Sequence, residues 1–294
     1  MSETLTLPSP AKLNRMLHIV GQRSDGYHEL QTLFQFLDHG DTLHFTPRAD
    51  DRITLTPPLE GVDTEANLIV RAARLLQKAC NVTCGIDIRL DKQLPMGGGL
   101  GGGSSNAATT LLALDRLWNL GLSNDHLATL GLSLGADVPV FIRGFAAWAE
   151  GIGERLIPAQ LDTPWFVVIH PGIGVATQTV FSHPELTRNS APISMARAVE
   201  GGRNDCERVV RMLQPAIGDA LGWLDQFGSA MLTGTGACVF CALTNRAQAD
   251  SILHRLREEK NEGRYRDWQA FVARGCNTSP LHIALEECRS NMMS

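Results

Sequence analysis

Residues 95–106 read Pro-Met-Gly-Gly-Gly-Leu-Gly-Gly-Gly-Ser-Ser-Asn, and this glycine-rich stretch decides how the chain is organised. Six glycines in seven positions would cost conformational entropy in any ordered segment, so they indicate a backbone that approaches a ligand closely or adopts positive φ. An alternating strand pattern precedes the stretch, with Ile86, Ile88 and Leu90 at every second position, and an apolar helix pattern follows it. A loop without side chains that opens a helix directs several N–H groups and the positive end of the helix dipole at one place. Such a place favours phosphate.

Three other interpretations of this stretch fit less well. A flexible linker would not stand directly between a strand and an apolar helix. Gly97, Gly99 and Gly102 match the spacing of a dinucleotide-binding loop, but no acidic residue follows at the end of a second strand about 20 residues later. A Walker A loop ends in Gly-Lys-Ser/Thr, whereas Gly103 is followed directly by Ser104. Positive charge for the phosphates therefore has to come from elsewhere in the chain.

The composition describes a globular protein large enough for two domains of ordinary size, with 294 residues of which 44% are hydrophobic and 19% charged. A net charge of −5 and a pI near 6.0 argue against nucleic acid or an anionic membrane as the main partner. No apolar run has membrane-spanning length, and the start Met-Ser-Glu-Thr lacks the features of a signal peptide. We therefore expect a cytoplasmic protein without a membrane partner.

The seven cysteines and nine histidines predict neither a disulfide framework nor a metal site. The cysteines are scattered and odd in number. Cys238 and Cys241 form a C-x-x-C, but no second pair with metal-ligand spacing accompanies them, and their apolar neighbours are typical of a buried strand. The histidines show no H-x-x-x-H or H-E-x-x-H grouping. We expect structural cysteines.

The first half of the chain mixes strands and helices. The predicted strands are residues 11–20, 28–37, 41–46, 52–56 and 85–90. The predicted helices are residues 68–79 capped by Asn67, a helix capped by Ser104 or Ser105, and residues 124–134 capped by Ser123. Because strands and helices do not alternate regularly, we expect an α+β fold.

A loop-like stretch with two prolines, residues 155–164, marks the predicted domain boundary. We expect one domain over residues 1–157 and a second over residues 158–294. The predicted strands of the second domain are residues 165–170, 230–233, 237–243 and 269–273. Its predicted helices are residues 194–200, 205–213 and 247–259. The tail beyond Leu285 carries no motif, and we expect no function there.

A second glycine turn, residues 233–237, reads Thr-Gly-Thr-Gly-Ala between two apparent strands. Alone it is typical of a hairpin connection, but with the first stretch it suggests two domains closing on one phosphorylated ligand. Phosphoryl transfer needs charge neutralisation, Mg²⁺ and an acceptor hydroxyl held in line. Asp137 is the candidate for the hydroxyl and Lys12 for the charge, although a turn or capping aspartate and a surface lysine are the ordinary alternatives. If the fold brings them together, the ammonium favours the ionised carboxylate.

Three segments resemble, in order, the three motifs of the GHMP kinases. They are Pro-Ser-Pro-Ala-Lys-Leu-Asn at residues 8–14, the stretch at residues 95–106, and Leu-Thr-Gly-Thr-Gly-Ala-Cys-Val-Phe at residues 232–240. Two more are similar to one family of that superfamily, the 4-diphosphocytidyl-2-C-methyl-D-erythritol kinases. These are Arg-Ser-Asp-Gly-Tyr-His-Glu-Leu-Gln-Thr-Leu-Phe at residues 23–34 and Leu-Gly-Ala-Asp-Val-Pro-Val-Phe at residues 134–141. The resemblance spans nearly the whole chain.

The resemblance implies a two-domain fold, with an N-terminal domain like domain 2 of ribosomal protein S5 and a ferredoxin-like C-terminal domain. It implies a kinase that uses ATP and Mg²⁺ to phosphorylate the 2-hydroxyl of a substrate carrying cytidine diphosphate, in the non-mevalonate route to isoprenoid precursors. Two alternatives stay open: another GHMP kinase, of homoserine or mevalonate type, and a nucleotide-binding protein without catalysis. A monomer and a homodimer are both compatible with the sequence.

The resemblance also implies roles for individual residues. Lys12 and Asp137 form the catalytic pair, and Ser104 or Ser105 is a candidate for Mg²⁺, with no certain metal ligand. The implied ATP-binding residues are Pro95, Met96, Gly97, Gly98, Gly99, Leu100, Gly101, Gly102, Gly103, Ser104 and Ser105, with Asn67 and Lys92 on the adenine side. The implied substrate-binding residues are Asn14, Tyr27, His28, Phe34, Thr177, Phe181, Gly234, Thr235 and Gly236. Among them, Tyr27 and Phe181 would contact the cytosine face, since aromatic rings stack on nucleobases, and His28 and Asn14 would hydrogen-bond around it. Ordinary core packing is the alternative for Phe181.

Overall fold

The computed structural model describes residues 4–291. Its strands are β1 (Leu5–Gln22), β2 (His28–Arg48), β3 (Ile53–Thr56), β4 (Gly85–Asp91), β5 (Ala147–Glu150), β6 (Arg155–Pro158), β7 (Trp165–His170), β8 (Ala230–Leu232), β9 (Val239–Leu243) and β10 (Gln269–Cys276). Its helices are α1 (Leu68–Cys80), α2 (Gly102–Leu117), α3 (Asn124–Leu132), α4 (Val138–Arg143), α5 (Thr177–Ser182), α6 (Met195–Val199), α7 (Glu207–Leu213), α8 (Pro215–Leu224), α9 (Arg246–Asn261) and α10 (Pro280–Asn291). The mixture confirms the α+β class.

One continuous sheet joins the two halves of the chain. Its hydrogen-bonded order is β3-β4-β2-β10-β7-β9-β8, and β1 pairs along most of β2 in an antiparallel hairpin. Strand β10 makes the connection, because Cys276 lies opposite Phe36 of β2 while the preceding residues of β10 pair with β7. The edge where β1, the start of α2 and the β8–β9 connection meet is therefore built from both halves.

The two largest apolar cores among the described residues support this sheet. The alternating residues Ile86, Ile88 and Leu90 are buried against α1 and α2, as their period of two predicts. The second core packs α7, α8 and α9 against β7, β8 and β9. Helix α10 packs on the first core through the fully buried Leu281, although it ends the described chain. The domain boundary expected after residue 157 stays a prediction, and residues 292–294 of the tail lie outside the described residues.

Most predicted elements are present, with three kinds of difference. The strands expected at residues 28–37 and 41–46 form the single strand β2. Residues 155–158, expected in a loop, form β6 and pair antiparallel with β5 despite the proline. Helices α4, α5, α8 and α10 and strand β5 were not predicted, and α4, α5 and β5 are too short, at six, six and four residues, to show a clear periodic pattern.

Two of the three predicted helix caps are confirmed. Asn67 Oδ1 accepts a hydrogen bond from Ile69 N at the start of α1, and Ser123 Oγ accepts one from His126 N at the start of α3. The cap expected from Ser104 or Ser105 is wrong, because α2 begins earlier, after Gly101 in the left-handed conformation, and has no side-chain cap. In the described part of the chain, no helix combines the length and apolar character that crossing a membrane requires.

Candidate active site

The first glycine loop, residues 95–103, is held against the second glycine turn by backbone hydrogen bonds. Ala237 N donates to Gly97 O at 3.1 Å, and Cys238 N donates to Gly98 O at 3.0 Å. The two glycine segments that the sequence analysis singled out therefore form one structure, with the loop from the first half of the chain resting on the turn from the second half.

Glycine at position 99 is required by space as well as by conformation. Gly99 and Gly97 both have positive φ, 73° and 66°. A Cβ on Gly99 would lie 2.3 Å from Thr233 O, whereas nothing among the described residues lies within 4 Å of a Cβ on Gly97. Close backbone approach between the two glycine segments is therefore possible only without a side chain at position 99.

Alanine at Gly99 is expected to destabilise the protein more than alanine at Gly97. Both substitutions place alanine at positive φ, so the cost of that conformation is shared, and only G99A adds a clash with backbone. We expect G99A to lower the free energy of unfolding by about 1–3 kcal/mol more than G97A does. Denaturant unfolding of both variants measures this difference, and equal losses would mean that the contact with Thr233 is loose.

The start of α2 presents free N–H groups. Within residues 4–291, the backbone N–H groups of Gly102, Gly103 and Ser104 have no hydrogen-bond acceptor, while Ser105 N donates to Gly101 O. The first turn of a helix without a side-chain cap combines unsatisfied donors with the positive end of the helix dipole. This end of α2 is thus suited to bind phosphate.

The two serines of the predicted loop face different ways. Ser105 is fully buried, with its Oγ 2.9 Å from Ser9 Oγ, and Ser9 Oγ donates to Asn106 Oδ1 at 2.6 Å. Ser104 instead lines the cavity described below, and its hydroxyl has no side-chain partner in the described chain. Of the two candidates for Mg²⁺, only Ser104 is placed where a ligand could reach it.

Lys92 lies beside this helix start. Its Nζ donates to Asp41 Oδ2 at 2.9 Å and to Leu94 O at 2.5 Å, and it lies 3.7 Å from where a Cβ of Gly102 would be. Asp41 is fully buried in its side chain and also accepts a hydrogen bond from Gln93 N. Lys92 therefore lines the cavity beside the start of α2, but its charge is paired with that of a buried carboxylate.

Lys12 and Asp137 meet, as predicted. Lys12 Nζ lies 3.1 Å from Asp137 Oδ2, and it also donates to Asn14 Oδ1 at 2.6 Å and to Gly99 O at 3.0 Å. The Lys12 side chain is 3% exposed and that of Asp137 32%. The ammonium is thus buried between the glycine loop and a carboxylate that remains open to a ligand.

The local fold explains how both side chains reach this place. The β1–β2 register shifts between Pro10 and Lys12, and such an irregularity re-aims side chains. Lys12 N then donates to Leu100 O at 3.0 Å, which fixes β1 to the glycine loop. Asp137 occupies the N-cap position of α4, but its side chain makes no capping hydrogen bond to that helix. The Asp137 carboxylate therefore does not cap α4, which was the ordinary alternative for this residue.

Asn14 serves Lys12. Its Oδ1 accepts from Lys12, and its Nδ2 donates to Thr32 Oγ1 at 2.9 Å, so both ends of the amide are bonded within the protein. Its backbone N–H donates to Thr233 Oγ1 at 3.0 Å, which ties β1 to the second glycine turn. Asn14 thus holds the ammonium of Lys12 and also lines the cavity described below, so its expected role at the substrate stays a prediction.

A cavity of about 670 Å³ contains the site, within the range that suits small-molecule ligands. The lining includes both catalytic candidates, all the predicted ATP-binding residues except the buried Ser105, and several predicted substrate-binding residues. The latter are Asn14, Phe34, Thr177, Phe181, Gly234 and Thr235. The lining residues that the sequence analysis did not single out include Leu30, Thr32, Leu59, Val62, Ile152 and Gly153.

Three predicted substrate residues do not line this cavity. Tyr27 is 60% exposed on the β1–β2 turn, where Asp25 Oδ1 accepts its backbone N–H. Gly236 faces the second core, since a Cβ there would contact Leu232. His28 is not in the lining, but its ring stacks on the lining residue Phe181. Their roles in binding stay predictions.

His28 and Phe181 form a stacked pair at the cavity wall. Their ring centroids are 4.9 Å apart with an interplanar angle of 24°. Arg188 Nε donates to His28 Nε2 at 3.1 Å. Burial, and then the charge of Arg188, lower the pKa of His28 below its ordinary value, so the ring is neutral at pH 7.

Sequence reasoning missed Arg188 and Asn204. Asn204 Nδ2 donates to Leu232 O at 2.9 Å and to Gly234 O at 2.8 Å, and so supports the second glycine turn from behind. Neither residue lies in a recognisable motif, and each acts on a segment that is distant in sequence. The sequence therefore offered no signal that could have found them.

The seven cysteines form no disulfide among the described residues. Cys238 and Cys241 are buried and, like the other five, free. Burial raises the pKa of the Cys241 thiol to about 11 and that of Cys238 further, so neither provides a reactive thiolate. The described residues contain no group of three or more His, Cys, Asp or Glu side chains arranged to hold a metal.

Comparison with known proteins agrees with this geometry. The family model for the N-terminal domain of GHMP kinases matches residues 67–145, and that for the C-terminal domain matches residues 185–262. A 4-diphosphocytidyl-2-C-methyl-D-erythritol kinase from Chromohalobacter salexigens is 67% identical over 290 residues, covering 96% of this chain and 95% of its own. A crystal structure of a 4-(cytidine 5'-diphospho)-2C-methyl-D-erythritol kinase superposes with a TM-score of 0.79 at 32% identity, covering 92% of this chain and 99% of its own.

A more distant structure shares only the fold. A mevalonate kinase structure has a TM-score of 0.66 at 17% identity, over 93% of this chain and 99% of its own. At low sequence identity the chain shares only its fold with other kinases. At higher identity it matches one kinase family over nearly its full length. The chain belongs to the GHMP kinases and, within them, to the family of 4-diphosphocytidyl-2-C-methyl-D-erythritol kinases.

Proposed function

We propose that the protein transfers the γ-phosphoryl group of ATP to the 2-hydroxyl of 4-diphosphocytidyl-2-C-methyl-D-erythritol. The observation that carries the proposal is the contact of Lys12 with Asp137, 3.1 Å apart, beside a glycine loop whose free N–H groups face the same cavity. The relatives described above are kinases named for this substrate. The reaction would supply a phosphorylated intermediate of the non-mevalonate route to isoprenoid precursors.

The geometry divides the work between two groups of residues. The N–H groups of residues 102–104 and the ammonium of Lys12 hold the phosphates and counter the charge that moves during transfer. Asp137 accepts a hydrogen bond from the 2-hydroxyl and takes its proton as the oxygen attacks the γ-phosphorus. The bond from the γ-phosphorus to the β–γ bridging oxygen breaks, and ADP leaves.

Mg²⁺ fits this site as a companion of ATP. Protein-bound Mg²⁺ commonly takes one or two carboxylates and completes its shell with phosphate oxygens and water. Of the two loop serines, Ser104 lines the cavity, so its Oγ is the protein group that would face the ion, while Asp137 is left to the acceptor hydroxyl. When bound, the ion neutralises the β- and γ-phosphate oxygens.

Beyond the active site, we propose that the enzyme is cytoplasmic and is a monomer or homodimer, without nucleic acid or membrane partners.

The wall formed by Phe181 is suited to a nucleobase. Phe181 is half-buried, lines the cavity and stacks on His28, and an aromatic ring at this place suits a nucleobase, which alcohols such as mevalonate and homoserine lack. This feature favours a substrate that carries cytidine diphosphate over those of the other GHMP kinases.

Supplying ATP and Mg²⁺ with each candidate alcohol in turn tests the proposed function. We expect phosphorylation of the cytidyl substrate and no comparable turnover of mevalonate or homoserine. Turnover of one of those alcohols alone would assign a different kinase activity. ATP binding without transfer to any alcohol would instead support a nucleotide-binding protein without catalysis.

A further inference from the structure

Arg188 is a half-buried arginine whose hydrogen bonds go only to neutral groups. Besides His28 Nε2, its guanidinium donates to Phe181 O at 2.8 Å, to His183 O at 2.9 Å and to Leu186 O at 3.2 Å. Within residues 4–291, no carboxylate forms an ion pair with it, in contrast to most other arginines. Its position is therefore set by one imidazole and three carbonyls, of which the carbonyl of Phe181 belongs to a cavity-lining residue.

The segment that carries Arg188 is itself anchored. Ser190 N donates to Ile19 O at 3.0 Å, and Ser190 Oγ donates to Asp205 Oδ2 at 2.6 Å. Leu186 is buried in the second core. Because the backbone on both sides of Arg188 is fixed, its planar guanidinium group can hold its hydrogen-bond partners in place.

The hydrogen bond to His28 fixes the state of that ring. An arginine cannot accept a hydrogen bond, so His28 Nε2 must be the unprotonated nitrogen. In a neutral imidazole the proton is then on Nδ1. Among residues 4–291, no group accepts a hydrogen bond from that Nδ1–H. The ring thus keeps one free donor with a defined direction.

We propose that Arg188 is a positioning residue for the base of the substrate, because it holds His28 as the neutral Nδ1–H tautomer and ties that ring to Phe181. The same guanidinium bonds the ring of His28 and the backbone of Phe181, so the two aromatic groups move as one unit. A free N–H donor beside a stacking surface suits a base with acceptors on its edge, and cytosine offers N3 and O2. The identity of the base as cytosine rests on the proposed function.

The first test is ¹⁵N NMR of the histidine rings in the wild-type protein without ligand, with the His28 signals assigned by their loss in H28N. We expect the pattern of a ring protonated on Nδ1. In R188A, the ring is expected to shift towards the Nε2–H tautomer. A wild-type His28 protonated on Nε2 would overturn the proposal, whatever the variants do.

The second test is steady-state kinetics of R188A. We expect KM for the cytidyl substrate to rise about tenfold, with KM for ATP unchanged and kcat within about threefold. The matched control is R208A, since Arg208 is an exposed arginine that pairs with Glu185 on the same segment. An unchanged KM for the cytidyl substrate in R188A, or an equal rise in R208A, would contradict a positioning role. Failure of the wild-type protein to phosphorylate this substrate would count against the proposed function instead, because the tautomer is measured without substrate.

Discussion

Replacing Asp137 by asparagine is expected to lower kcat for phosphoryl transfer by about 10²–10⁴-fold, the contribution typical of a positioned general base. Asparagine keeps the size of the side chain and can still face Lys12 Nζ, which lies 3.1 Å from the carboxylate. It cannot take the proton of the acceptor hydroxyl. ATP should bind nearly as before, because the N–H groups of the glycine loop and Lys92 are untouched. Turnover assays and ATP titration of the same preparation measure the two effects separately.

Asp125 provides the control for this substitution. Its carboxylate is exposed and pairs with Arg143, at the C-terminal end of the helix that Asp137 precedes. D125N therefore makes the same chemical change close to α4 but away from the cavity. We expect its kcat to stay within about twofold of wild type, since exposed ion pairs contribute little. Unchanged turnover in D137N would remove Asp137 from the mechanism.

Replacing Lys12 by methionine is expected to lower kcat by about 10²–10³-fold, the loss typical when one preorganised group that stabilises developing charge is removed. The ammonium contacts Asp137, Asn14 and the carbonyl of Gly99, so it joins the base to the phosphate-binding loop. Methionine approximates the length of the aliphatic stem, and the site of Lys12 is almost fully buried. The fold should therefore persist, and thermal unfolding of K12M checks this.

Lys78 is a suitable control for K12M. It lies exposed in the last turn of α1, so K78M removes the same charge from the surface. We expect wild-type kcat and KM for ATP in K78M. If K12M and K78M lose turnover equally, the net charge of the protein and not the position of Lys12 would explain the loss.

The parts of the fold that local chemistry decides were predictable. Asn67 and Ser123 cap their helices because each can bond an N–H two or three residues ahead. Ile86, Ile88 and Leu90 mark a strand through their alternation. At the start of α2 the same reasoning was wrong, because Gly101 adopts a left-handed conformation and Ser105 turns inward to Ser9.

The sequence predicted those site residues that lie in recognisable motifs. Lys12 and Asp137 are 125 positions apart in sequence, and only the resemblance to the GHMP kinases paired them. Their proximity depends on the register shift in β1 and on the short helix α4, neither of which has a local signal. Arg188 and Asn204 lie outside every motif, and their contacts with His28 and Gly234 are visible only in three dimensions.

A double-mutant cycle on the transfer step is the most direct test of the account. Single-turnover rates would be measured for wild type, D137N, K12M and the double variant, with ATP saturating. If Lys12 and Asp137 act together on one hydroxyl and one phosphoryl group, the double variant will be about as slow as the slower single variant. A double variant whose loss equals the product of the two single losses would show that the residues act independently and would contradict the account.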